Sequence, residues 1–223
     1  MRFGNTLRAS VYLPYKEHYL DYAKLKHLLR EDAASQGDDR PWTADDESKF
    51  SDEILNVQLD KVASFQAEQF KALEERTNKA AEKLQELAPE EGKPKGDITA
   101  GRFKEIEVEL DAIINEAREL RKYSSINYTG FQKIVKKHDR KRGNNYKLRP
   151  ILQNRLSERP FNSEHGYSAL DNKISMLFFV VRQQLEEGSD PTAGQFSDSQ
   201  YQHGDKYTAH KCTYLFPRRL QPL

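Results

Sequence analysis

Lys133, Lys136, Lys137 and Arg140 recur at i, i+3, i+4 and i+7, the spacing that puts four cations on one face of a helix. Like charges this close weaken a helix by roughly a few tenths of a kcal/mol per pair, so the face invites an anion. Ammonium and guanidinium groups hold phosphate oxygens through charge-assisted hydrogen bonds. Tyr22 and Lys26, four residues apart, repeat the theme with a hydroxyl donor and an ammonium. Arg2 adds a further charge if the first helix packs beside them. Phe131, Ile134 and Val135 supply the apolar side that anchors the cationic helix.

Other partners for this face have to be weighed. It could be a solvated surface, or it could pair internally with residues 104–119, which carry Glu105, Glu107, Glu109, Asp111, Glu116 and Glu119. Nucleic acid is disfavoured, because aromatic stacking platforms and a reader motif are missing. A polybasic membrane patch would be weakly selective and strongly screened by salt. A compact, densely phosphorylated small molecule suits a concave cluster from three helices better.

Catalytic chemistry finds little support. The chain has no Gly-rich phosphate loop, no CxxC and no HExxH. His18 and His27 lie nine residues apart on different faces, and His138 sits among cations that discourage another charge. Paired carboxylates and metal-ligand spacing for phosphoryl transfer are also lacking. We expect no metal, no cofactor and no enzyme activity in these residues.

The 223 residues suffice for one large domain, or a domain and a tail. Charged residues make up 32% and the mean hydropathy is −0.90, a composition that suits long solvated helices better than a thick core. The net charge of +1 conceals segregation: over residues 133–149, eight Lys/Arg face the single Asp139. Cys212 is the only cysteine, which excludes an intrachain disulfide and fits a reducing compartment. No run approaches the ~18 apolar residues of a membrane span, and the N-terminal apolar stretches are short for a secretory leader. The piece reads as soluble.

Periodicity outlines the scaffold beneath the cations. Phe3, Leu7 and Val11 predict a short helix over 3–13, broken by Pro14; residues 18–32 predict a second, with Leu25, Leu28 and Leu29 as its stripe. Residues 33–46 form a loop in which Thr43 can cap the next helix. From Ala44 to Leu87 neither Pro nor Gly occurs, which predicts one helix of roughly forty residues, about 60 Å long. After a turn, Phe103, Ile106, Leu110, Ile113, Ala117 and Leu120 mark a second long helix from Ile98 or Thr99. Residues 122–131 are poor helix material, predicting a bend or a new helix near Thr129. Further helices are expected over 147–157 and 167–186, then a polar stretch. The fold class is all-α: a helical bundle whose N-terminal short-helix hairpin packs on two long antiparallel helices.

Two segments, "MRFGNTLRASVYLPYKEHYLDYAKLK" and "INYTGFQKIVKKHDRK", together resemble the SPX domain family, the second matching its pattern N-x-T-G-F-x-K-x-x-K-K-x-D-K. The resemblance covers about residues 1–185. It implies a helical sensor of inositol polyphosphates such as inositol hexakisphosphate, or of inositol pyrophosphates, as signals of phosphate status. By motif position, Tyr22, Lys26 and Lys137 match the family's phosphate-binding cluster, and Lys133, Lys136 and Arg140 its lysine surface cluster. Arg140 and Arg2 stand where the family usually has Lys; both keep charge and donors.

Residues 40–66 and 163–183 look most like fungal vacuolar transporter chaperone subunits, in which an SPX domain precedes a polyphosphate-polymerase-like domain and membrane helices. That implies an SPX domain over 1–187, a polar linker over 188–206, and a junction to a downstream domain over 207–223. It further implies the cytosolic face of the vacuolar membrane, other subunits of a membrane complex as partners, and an accessory rather than catalytic subunit. The match fades after Lys211. A helical protein-interaction module with an incidental basic patch is the competing function.

Overall fold

The computed structural model describes residues 3–31, 40–87, 97–142, 147–159 and 164–187. Every regular element among them is helical: α1 Phe3–Ala9, α2 Tyr22–Leu28, α3 Ala44–Asp52, α4 Leu59–Glu86, α5 Asp97–Arg142, α6 Arg149–Ser157 and α7 Glu164–Glu187. A 3-10 turn, Leu13–His18, separates α1 from α2, and a π-helical turn, Glu53–Gln58, joins α3 to α4. The expected linker and junction, the turn at 88–96 and Cys212 lie outside the described residues.

α4 and α5 are antiparallel. Arg76 of α4 reaches Glu109 at 2.7 Å and Glu116 at 2.6 Å on α5, while the Tyr123 hydroxyl donates to the Val62 carbonyl at 3.4 Å. α7 lies antiparallel to α5 in turn, with Arg121 bound to Asp171 and Arg182 to Glu107 at 3.4 Å. The expected apolar stripes fill the space between: Leu59, Leu73, Leu110, Ile113, Leu120 and Tyr123 are buried. Leu25 of α2 and Leu29, which follows it as the C-cap, join this core.

The N-terminal helices are shorter than their periodicity suggests. α1 stops at Ala9, and Pro14, which has no amide to donate, sits in the first turn of the 3-10 helix that follows, where none is needed. α2 starts at Tyr22, where the Asp21 carboxylate accepts the Lys24 amide at 2.9 Å. The single helix expected over 44–87 is interrupted by the π turn, which serves α2. Gln58 accepts the Asp21 amide at 2.9 Å, and Glu53 pairs with Lys24 at 2.7 Å. Thr43 caps α3 as expected, in a reciprocal capping box with Asp46.

No break occurs at residues 122–131: α5 runs unbroken for 46 residues, about 69 Å. The hydroxyl and amide side chains that make the stretch look unhelical bond inside the helix. Ser124 donates to the Leu120 carbonyl at 2.9 Å, Asn127 to Tyr123 at 2.8 Å and Thr129 to Ser125 at 2.9 Å. The remaining polar capacity docks the N-terminal hairpin, since the Leu20 amide donates to Asn127 Oδ1 at 2.8 Å.

Candidate functional site

The last turns of α5 present Lys133, Lys136 and Arg140 to solvent, with Lys137 half-buried along one edge. The opposite side of the same turns is buried as expected, through Phe131, Ile134, Val135 and His138. The acidic stretch 104–119 does not neutralise this face. Glu109 and Glu116 bind Arg76, Glu107 binds Lys104 and Arg182, and Glu119 binds Lys122. The side chains of Lys26, Lys133, Lys136 and Arg140 have no hydrogen bond or ion pair among the described residues. Arg2 lies outside them.

His138 is not an imidazole left among cations. It is buried, stacked on Phe50 with ring centroids 5.0 Å apart, and Nε2 lies 2.9 Å from Glu47 and Nδ1 3.0 Å from Asp139. Asp139 in turn accepts the Leu148 amide at 2.9 Å and the Arg149 amide at 3.2 Å, which caps α6. This network fixes the underside of the cationic turns.

The second group stands on α2. Tyr22 is buried, with its ring edge-on to Phe3 at 5.0 Å. Burial, and then the Glu31 charge, push its hydroxyl above the ordinary tyrosine range, so it stays a neutral donor. Tyr22 and Lys26 line a cavity of about 500 Å3 whose other cations are Arg8, Lys16 and Lys61. Lys133, Lys136, Lys137 and Arg140 do not line that cavity, so the expected single concave cluster resolves into a cationic face and a neighbouring cavity.

Glu31 ties α2 to the cationic face, a part that the sequence does not announce. Its carboxylate lies 2.7 Å from Lys137 Nζ and 4.0 Å from Lys141 Nζ. The bond from Lys137, reinforced by Lys141 and Arg140, holds the Glu31 carboxyl below the usual range. Lys141 and Arg142, farther along the same basic run, are both engaged. Lys141 donates to the Leu29 carbonyl at 2.8 Å and to that of Arg30 at 3.1 Å, and the Arg142 guanidinium lies 3.2 Å over the Trp42 ring. Lys147 and Arg149 are exposed. A charge trailing the leucine stripe of α2 is the one available signal for Glu31, and it does not name a partner.

No protein-family model matches the chain. Subunit 2 of the vacuolar transporter chaperone complex of Saccharomyces cerevisiae is 35% identical over 196 residues, 86% of this chain and 22% of that protein. Subunit 4 of the complex in Schizosaccharomyces pombe is 33% identical over 221 residues, 94% of this chain and 28% of that protein. SPX domain-containing protein 3 of Oryza sativa subsp. indica is 29% identical over 167 residues, 74% of this chain and 59% of that protein. The chain thus spans about a quarter of the length of the chaperone subunits it matches. In fold it is similar to the SPX domain of Chaetomium thermophilum glycerophosphodiester phosphodiesterase 1, a structure in complex with inositol hexakisphosphate. The TM-score is 0.58 at 23% identity, over 82% of this chain and 99% of that one.

Proposed function

The chain belongs to the SPX domain family, and from that premise we propose that it senses cellular phosphate by binding inositol hexakisphosphate or inositol pyrophosphates. The observation that carries this reading is the solvent-facing set Lys133, Lys136 and Arg140. Among the described residues it stays unneutralised, although an acidic stretch lies on the same helix. Unpaired like charges on one face cost helix stability, and a polyphosphorylated ligand relieves that cost.

In this reading Lys133, Lys136, Lys137 and Arg140 grip phosphates from α5, Lys26 adds an ammonium from α2, and Tyr22 donates one directional hydrogen bond. Arg2 contributes from the N-terminus. Each charge-assisted bond supplies about 1.5–3 kcal/mol before desolvation and ordering costs, so ligands with more phosphates gain most. The domain acts as a regulatory binding module over residues 1–187, joined by a linker to a downstream domain. Its regulated output is vacuolar polyphosphate synthesis, carried out by that downstream domain or by another subunit of a membrane complex, with the SPX domain on the cytosolic face of the vacuolar membrane.

Isothermal titration calorimetry of the chain with inositol hexakisphosphate, beside the variant K136A/K137A, tests the reading. Micromolar or tighter binding that collapses in the variant supports it. Equal, weak heats from inorganic phosphate and inositol hexakisphosphate overturn it.

A further inference from the structure

We propose that Glu31 is a built-in competitor for the anion site, a carboxylate that holds Lys137 and must yield when a phosphate takes that ammonium. The inference rests on the ligand reading above and adds how the site is regulated.

Local geometry aims Glu31 at the site. α2 ends with the Arg30 amide bonded to the His27 carbonyl at 2.8 Å and the Glu31 amide to that of Lys26 at 2.9 Å, with Arg30 at φ 53°. This is a Schellman turn, whose left-handed position is normally glycine. Arginine there carries strain, and its side chain supplies the restraint. The guanidinium donates to the Asp46 carboxylate at 2.7 Å and to the Arg40 carbonyl at 2.8 Å, and sits 5.3 Å from the Trp42 ring. The turn directs the next side chain, Glu31, onto α5.

The carboxylate arrives among the groups assigned to the ligand. It bonds Lys137 at 2.7 Å, and its charge is felt at Tyr22 and by Lys141 and Arg140. Lys141 fastens the same turn by donating to the Leu29 and Arg30 carbonyls. A carboxylate oxygen and a phosphate oxygen are equivalent acceptors for an ammonium, and two anions side by side repel. A single inorganic phosphate would therefore exchange one anion for another at Lys137 with little gain. A ligand with several phosphates also collects Lys133, Lys136 and Arg140, which Glu31 leaves unbonded. Glu31 thus raises the threshold against weak anions, and its displacement loosens the α2 end from α5.

Titrations of inositol hexakisphosphate and of inorganic phosphate into the 223-residue chain test this, with wild type, Glu31→Gln, Lys137→Ala and the double variant compared after a thermal melt. A part-exposed ion pair limits the competition, so E31Q is expected to bind inositol hexakisphosphate about fivefold tighter and to discriminate less against inorganic phosphate. The gain should vanish in the Lys137→Ala background, where the competitor has no target. Should E31Q fail to fold, Glu31→Asp keeps the charge but withdraws it from Lys137, and an intermediate gain is expected. Unchanged or weaker binding by E31Q or E31D, with binding still weakened by Lys137→Ala, overturns the role of Glu31 alone. Absence of binding by wild type and E31Q alike overturns both the ligand reading and this inference.

Discussion

The Leu20 amide donates to Asn127 Oδ1 at 2.8 Å across 107 positions of sequence, and this bond locks the N-terminal hairpin to the middle of α5. Asn127 is buried, and its amide group also donates to the Tyr123 carbonyl at 2.8 Å. Asn127→Ala strands the Leu20 N–H in the interior, at an expected cost of about 1–3 kcal/mol. Urea unfolding reads that cost. Titration with inositol hexakisphosphate should show weaker binding, because Tyr22 and Lys26 lose their register against α5. An unchanged unfolding midpoint would contradict the lock.

Gly130 and Gly101 of α5 should respond to alanine with opposite signs. A Cβ at Gly130 would lie 2.7 Å from Leu20 Cδ2 and 3.3 Å from Phe3 Cε1, whereas nothing stands within 4 Å at Gly101. Gly101→Ala is expected to stabilise by roughly 1 kcal/mol from helix propensity alone. Gly130→Ala gains the same propensity but forces buried Leu20 aside, a net loss of about 1–2 kcal/mol. Thermal melts of both variants decide it, and stabilisation by Gly130→Ala would show that the hairpin yields easily.

Asp139 links the cationic turns to α6. It accepts the Leu148 and Arg149 amides and faces His138 Nδ1, so Asp139→Ala removes a cap and a ring partner together. A loss of about 1 kcal/mol is expected from the cap. Hydrogen exchange should speed up first in α6 and the last turns of α5. Uniform loss of protection over the whole bundle would mean that Asp139 supports the global fold instead.

Alkaline pH should unfold the bundle through its buried tyrosines. Burial, aided by the Glu116 charge, pushes the Tyr15 hydroxyl up to about 12, and burial raises Tyr123 further. The Tyr123 hydroxyl also donates to the His18 carbonyl at 2.9 Å. A folded value above the unfolded one, ~10, means stability fully present below that pH and lost as pH rises through the folded value. Chemical unfolding midpoints should be insensitive to these groups between pH 7 and about 9, then drop between about 10 and 12. Ultraviolet titration should show them ionising with the loss of helix, and ionisation near pH 10 without unfolding would contradict their burial.

The features legible in the bare chain are local ones. The apolar stripes of α4 and α5, the Thr43 cap and the shared face of Lys133, Lys136, Lys137 and Arg140 depend on neighbours three and four residues apart, and the helix itself brings those together. Residues 122–131 mislead because Ser124, Asn127 and Thr129 favour turns when nothing else is known. Inside α5 they bond the preceding turn, and Asn127 spends its oxygen on Leu20. Whether Lys141 and Arg142 are solvated, and whether anything already holds Lys137, depends on residues more than 90 positions away: Leu29, Trp42 and Glu31. Tertiary structure alone makes those pairings, because an ion pair or buried hydrogen bond forms only where packing brings its two groups within about 3 Å, and no spacing along the chain encodes that distance.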